Sequence, residues 1–243
     1  MMKIHLINPN TTASMTKKIG EAAEQVASSS TKIVATNPTS GPVSIESHFD
    51  EAISAVGVLD EIRRNPDADA YIVACFGDPG LMAARELTQS PVIGIAEAAF
   101  HLATLISTRF SIVTTLGRTG IIAEHLLQSY GFSHHCRKIR AAEIPVLDLE
   151  DNSELALNKI VEECLLAKAE DDIGAIVLGC GGMADLTDEI SKRVGLPVIE
   201  GVTAAVKLAE SLVSLGLKTS KFGDLAYPLP KHFTGTYEYL SNK

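Results

Sequence analysis

Cys75 and Cys180 stand at matching places in two similar stretches, Ala70-Tyr71-Ile72-Val73-Ala74-Cys75-Phe76-Gly77 and Gly174-Ala175-Ile176-Val177-Leu178-Gly179-Cys180-Gly181-Gly182. Each thiol follows a short apolar, β-branched run and precedes a Gly-containing turn, the pattern of a buried parallel strand that opens into a loop. Open α/β sheets bind ligands outside the carboxyl ends of such strands. Two thiols carried by related halves could flank one small molecule, one removing a proton from a carbon stereocentre while the other delivers a proton to the opposite face. A thiol suits the task because its ordinary pKa of about 8.5 lies near enough to neutrality for the surroundings to set either state. The pair therefore predicts racemisation by two bases, with one proton shared at rest because two thiolates around a small cleft repel. Helices beginning near Pro79 and near Gly182 or Met183 would turn their positive ends toward the sulfurs and favour thiolate.

Removing a proton next to a carbonyl leaves an enolate-like oxygen, which needs donors already in place. The amides of Phe76, Gly77, Gly181 and Gly182 are the candidates, because glycine lets backbone approach a ligand closely. Asn8 and Asn10 follow the first strand and Thr114 and Thr115 end the equivalent strand of the second half, so their side chains are candidates to bind carbonyl and amide groups. Capping of nearby turns and helices is the competing role for these four residues. No Arg or Lys lies within several residues of either cysteine, which favours a neutral or weakly charged ligand. Cys136, in a polar connection, and Cys164, within an amphipathic helix, have no comparable setting.

The elements that must hold these residues alternate. Strands are expected near 3–7, 32–36, 70–75 and 91–95, with helices near 14–28, 50–64 and 79–88. The second half repeats the order, with strands near 110–114, 138–141, 174–179 and 196–199 and helices near 118–130, 152–169 and 184–193. Such alternation implies right-handed βαβ units and a mainly parallel sheet in each half. Pro91 follows Cys75 by 16 residues and Pro197 follows Cys180 by 17, and each Pro opens an apolar run that leads into a similar helix, Glu97-Ala98-Ala99-Phe100-His101-Leu102-Ala103 or Thr203-Ala204-Ala205-Val206-Lys207-Leu208-Ala209. Internal duplication explains this agreement. The expected architecture is α/β, two pseudosymmetric Rossmann-like halves with the active site in the cleft between them. One lobe would comprise residues 1–96 plus about 209–243, the other 97–208.

Composition narrows the partners. The chain has 243 residues and a formal net charge of −9, with no compact basic cluster, which argues against a nucleic-acid partner. It contains no apolar run of about 18 residues, so no membrane span is expected. The start reads as no signal peptide and the four cysteines as reduced thiols, so a cytoplasmic enzyme is expected. His134-His135-Cys136 is read as a polar surface connection, not a metal site, because adjacent residues rarely aim at one ion.

Several motifs together resemble the hydantoin and allantoin racemase branch of the aspartate/glutamate racemase superfamily. They are Ile7-Asn8-Pro9-Asn10-Thr11-Thr12, Ser47-His48-Phe49-Asp50, Cys75-Phe76-Gly77-Asp78-Pro79-Gly80-Leu81, Ser111-Ile112-Val113-Thr114-Thr115-Leu116 and Leu178-Gly179-Cys180-Gly181-Gly182-Met183, and they span nearly the whole chain. The resemblance implies proton transfer at C5 of a five-membered ureide ring without a cofactor, acid/base roles for Cys75 and Cys180, and assembly into a homo-oligomer. Glutamate racemases carry Asn-Thr after the first Cys and Thr-His after the second; Phe76-Gly77 and Gly181-Gly182 replace them here, which argues against a free amino acid. The run through Gly80 is more similar to allantoin racemases than to racemases of 5-substituted hydantoins, which remain the nearest alternative. Other classes stay open. Gly179-Cys180-Gly181-Gly182-Met183-Ala184, with Glu200 at the end of a later strand, fits a dinucleotide-binding fingerprint. A thiol-dependent ureide hydrolase would need a base beside one Cys. A single-Cys decarboxylase leaves the second thiol unexplained, and a non-catalytic two-lobed binding module leaves both unexplained.

Overall fold

The structure, a computed structural model, describes residues 1–149 and 154–241. The β-branched runs pair into two four-stranded parallel sheets. The first contains β1 (Met2–Ile7), β2 (Thr31–Thr36), β3 (Ala70–Val73) and β4 (Val92–Gly94), in the order β2-β1-β3-β4. The second contains β5 (Phe110–Thr114), β6 (Cys136–Ala141), β7 (Ala175–Leu178) and β8 (Val198–Ile199), in the order β6-β5-β7-β8. The two orders are the same, so the duplication legible in the sequence is also a duplication of topology. Ile7 pairs with Val73 and Val113 with Leu178, which brings the loops after β1 and β3, and those after β5 and β7, out at equivalent ends. Residues of β3 and β7 are buried throughout, as strands covered on both faces must be.

The helices are α1 (Ala13–Val26), α2 (His48–Arg64), α3 (Leu81–Leu87), α4 (Ile95–Ile106), α5 (Gly117–Tyr130), α6 (Glu154–Glu170), α7 (Thr187–Val194) and α8 (Gly201–Ser214). The start of α2 shows why a helix begins there: the Ser47 hydroxyl accepts from the Asp50 amide, Asp50 and Glu51 occupy the first turn, and Arg63 and Arg64 the last. Among the described residues no helix is long and apolar enough to cross a membrane.

Two helices trade sheets. α4 leaves the first sheet after β4 yet packs on β7 and β8, where Ala96, Ala99, Phe100 and Ala103 join Phe110, Ile112 and Val177 in one core cluster. α8 leaves the second sheet after β8 and packs on β1, β3 and β4, where Val202, Ala205, Val206 and Ala209 join Ile4, Leu6 and Ile72. The two helices also pack against each other. They come close at Gly201, where an added Cβ would lie 2.2 Å from the Ile95 carbonyl oxygen. α8 runs unbroken through residue 209, where the sequence reading changes lobe. Beyond it, the Thr219 amide donates to the Gln89 carbonyl, Lys221 Nζ to the Glu86 carbonyl, and the Tyr239 hydroxyl to Asp60, so the tail lies along elements of the first half.

The helix after each cysteine departs from expectation. α3 begins at Leu81 instead of near Pro79, and Cys180 is followed by a 3-10 helix over Gly181–Leu186 before α7 starts at Thr187. Two consecutive glycines are poor α-helix formers, and the tighter 3-10 turn takes that place. Cys136, expected in a connection, is the first residue of β6, while Cys164 is fully buried on α6. Residues 152 and 153 of the expected helix 152–169, and 242–243 of the tail, lie outside the described residues.

Candidate active site

The strand ends converge on one cavity between the halves. Cys75 and Cys180 both line it, with Phe76, Gly77, Gly181 and Gly182 from their loops and Asn8, Asn10 and Thr115 from the loops after β1 and β5. The two thiol loops abut: a Cβ at Gly181 would sit 3.1 Å from the carbonyl oxygen of Ala74, the residue before Cys75. Phe76 turns out of its loop into the aromatic core of the second half, edge-on to Phe100 at 5.6 Å between ring centres. That contact ties the first thiol's loop to the opposite sheet.

Surroundings raise both thiols. Burial pushes Cys180 up to about 11, opposed by a backbone hydrogen bond from Gly182, with Glu46 adding to the rise and Lys18 opposing it. Burial likewise lifts Cys75 well above the ordinary thiol range, opposed by a backbone hydrogen bond from Gly77 and reinforced by the charge of Cys180 and then of Glu51. Helix ends do not lower the thiols as expected. α3 starts six residues beyond Cys75, and the field of a helix end acts within about one turn. The amides two residues after each sulfur, Gly77 and Gly182, do the local work of favouring thiolate instead.

The asparagines form a braced pair. Asn8 Nδ2 donates to Asn10 Oδ1 at 2.8 Å and to Thr16 Oγ1 at 3.0 Å, while Asn10 Oδ1 also accepts from the Thr12 amide at 2.9 Å. Asn10 Nδ2 meets the weakly accepting sulfur of Met15 at 3.2 Å, so Asn10 retains donor capacity toward the cavity. Thr114 stands apart from the other candidates. Its hydroxyl bonds the Gly179 carbonyl and Thr119 Oγ1, each at 3.0 Å, and it is not among the lining residues, so it supports the end of β7 behind the site. Ala74 and Gly179 line it beside the thiols, and six further residues, Thr119 and Ile122 of α5, Glu51 of α2, Ile45, Val146 and Met15, complete the lining. Sequence spacing brings none of these six toward the thiols, because each arrives through tertiary packing. Ile45 and Val146 come from opposite halves and are linked by the Glu46 carboxylate, which accepts from the Val146 amide at 2.8 Å.

Two buried carboxylates brace the exchanged helices. Asp78, three residues after Cys75, accepts from the Ala96 amide at 3.1 Å, from the Glu97 amide at 3.0 Å and from the Tyr130 hydroxyl at 3.0 Å, pinning the thiol loop to the start of α4. Burial raises it to about 7 against those bonds. It holds a left-handed φ of 45°, and the absence of a side chain on Gly94 makes the room it occupies. Glu200 caps α8 equivalently, accepting from the Val202 amide at 2.7 Å and the Thr203 amide at 2.5 Å while only 2% exposed. A carboxylate committed in this way is not presented to a ribose, which removes the acidic partner that the dinucleotide reading required. Among the described residues no histidine lines the cavity, so a thiol–histidine hydrolase has no base here. His135 is bonded to the Thr108 carbonyl, and among the described residues no group of His, Cys, Asp and Glu could hold a metal ion.

Comparison with known proteins agrees with this geometry. The family model described as Asp/Glu/Hydantoin racemase matches residues 4–209. The chain is 58% identical to the allantoin racemase structure from Klebsiella pneumoniae, covering 99% of each chain with a TM-score of 0.96. It is 43% identical to the allantoin racemase structure from Pseudomonas fluorescens, covering 96% of this chain and all of that one with a TM-score of 0.94. A relative from Rhizobium meliloti named hydantoin racemase is 52% identical over 236 residues, 96% of this chain and 98% of its own.

Proposed function

The chain belongs to the Asp/Glu/hydantoin racemase family and is an isomerase of the hydantoin and allantoin racemase type, and from that premise we propose that it interconverts the enantiomers of allantoin by proton transfer between Cys75 and Cys180. The observation that carries the reading is the presence of two thiols, at equivalent ends of β3 and β7, lining one cavity between the halves. A neutral cyclic ureide suits that cavity, since its lining holds no lysine or arginine among the described residues. The thiolate of one cysteine takes the C5 proton from one face, and the thiol of the other gives its proton to the opposite face. In the reverse direction the two exchange parts. The Gly77 and Gly182 amides stabilise whichever sulfur is ionised. The Phe76 and Gly181 amides are left for the enolate oxygen, and Asn10 and Thr115 for the ring carbonyl and amide groups, with Asn8 orienting Asn10 and Thr114 supporting the Cys180 strand. Assembly into a homo-oligomer comes from the family resemblance alone.

Allantoin leads because the Klebsiella and Pseudomonas structures carry that name and because a carboxylate, Glu51, enters the lining. Hydantoins with apolar 5-substituents are the second reading, favoured by Ile45, Ile122 and Val146 around the same space. The test follows the optical rotation of each pure enantiomer of allantoin in heavy water. The expected result is decay to zero rotation with deuterium at C5 and no change of composition; release of ammonia or a ring-opened product, or constant rotation, overturns it.

A raised thiol also sets a pH dependence. At neutral pH both sulfurs are mostly protonated, and below its pKa a thiol's ionised fraction rises about tenfold per pH unit. We therefore expect kcat/KM to climb between pH 7 and 9 with a slope approaching one logarithmic unit per pH unit. A flat profile over that interval, corrected for spontaneous racemisation, would show that the free enzyme already holds its thiolate at neutrality.

A further inference from the structure

Glu51 is the one Asp, Glu, Lys or Arg among the described residues that line the cavity. It sits in the first turn of α2, with its carboxylate laid over the backbone of the Cys75 loop. A Cβ at position 77 would fall 2.0 Å from Glu51 Oε1, so Gly77 is what admits the carboxylate to this place. The side chain is 17% exposed. Its Oε2 lies 3.2 Å from His48 Nδ1, while Oε1 accepts no hydrogen bond from any described residue. Burial raises its pKa, with His48 opposing. An anionic acceptor with an uncommitted oxygen, in a cavity without a cation, calls for a ligand that brings N–H donors.

Its position selects which part of the ligand that is. Its charge also acts on the Cys75 sulfur, so the carboxylate stands beside that thiol; with Cys75 at the hydrogen of the reacting carbon, Glu51 borders the substituent of that carbon as it passes through the planar enolate. The braced Asn10 and Thr115 enter the cavity from other loops. We propose that Glu51 is the specificity-determining residue of this site, its Oε1 accepting hydrogen bonds from an N–H-bearing substituent on the reacting carbon, so that the cavity prefers a ureido-substituted ring to an alkyl-substituted one. The inference rests on the racemase reading above and adds to it the group that reads the substituent.

The experiment measures kcat/KM for racemisation of allantoin and of 5-methylhydantoin by the wild-type protein and by Glu51→Gln. The variant keeps the shape of the side chain and removes its charge, and measuring both rings on one preparation cancels any fraction of misfolded protein. The expected result is a fall of roughly ten- to a hundredfold in the ratio of the two constants, allantoin over 5-methylhydantoin, as for loss of a charge-assisted hydrogen bond. An equal loss on both rings, or an unchanged ratio, overturns the role of Glu51 while leaving the racemase reading standing. A wild-type protein that handles 5-methylhydantoin as well as allantoin overturns it too. Absence of racemisation of either ring by the wild type brings down the racemase reading itself, before the variant is compared.

Discussion

Serine in place of either Cys75 or Cys180 is expected to lower racemisation of both enantiomers by roughly a thousandfold or more, the scale of a lost general acid or base. The effect should fall on both hands with both variants because each sulfur is needed twice, as base for one enantiomer and as acid for the other. Among the described residues the lining offers no histidine, and its one carboxylate is Glu51, assigned above to the substituent of the reacting carbon. Polarimetry and deuterium incorporation, run on separate enantiomers with Cys75→Ser and Cys180→Ser proteins, give the readout. Full racemase activity in either variant would refute the paired-base mechanism. Exchange of deuterium from one face without inversion, in contrast, is what a single surviving thiol should still permit at a residual rate.

The largest effect on stability is expected from Gly201→Ala. The new methyl would stand 2.2 Å from the Ile95 carbonyl oxygen and 2.7 Å from the Ile95 carbonyl carbon, and main chain at the start of a packed helix cannot turn aside as a flexible side-chain end can. Overpacking a well-filled interior costs about 1–3 kcal/mol and sometimes more, and a backbone contact this short belongs at or above the upper end. For a chain of this size about 3 kcal/mol corresponds to a fall of roughly 6–12 °C in Tm. Urea and thermal unfolding of the variant beside the wild type measure it. A loss under about 0.5 kcal/mol would mean that α4 and α8 can move apart freely, against the close packing described for them.

Much of this was legible in the sequence, for identifiable reasons. Buried parallel strands write themselves as apolar β-branched runs, so β3 and β7, and the thiols at their ends, stand out in one dimension. Duplication then doubles the signal, since Cys75–Pro91 and Cys180–Pro197 repeat one spacing. Side chains that reach the cavity from elsewhere leave no such trace. Glu51 reads as an ordinary acidic residue in the first turn of a helix, and Thr119 and Ile122 as ordinary positions on α5. Thr114 and Thr115 illustrate the limit within a single strand end. They look interchangeable in sequence, yet neighbouring residues of extended chain face opposite ways, and only Thr115 lines the cavity. The raised thiols escaped for a different reason: helix starts are local and visible, whereas the burial that dominates here depends on both halves closing together.

The crossing of α4 and α8 has a consequence for how such a molecule could arise. A half-length chain following the path of β1 to α4 would send its last helix away from its own sheet, leaving α1 to cover only part of that face. Only a second copy, sending its own last helix back, would cover the rest. The ancestral half therefore need never have been stable by itself. Joining two copies end to end would have converted a reciprocal embrace between molecules into the single polypeptide seen here, with the reaction chamber already present at the seam.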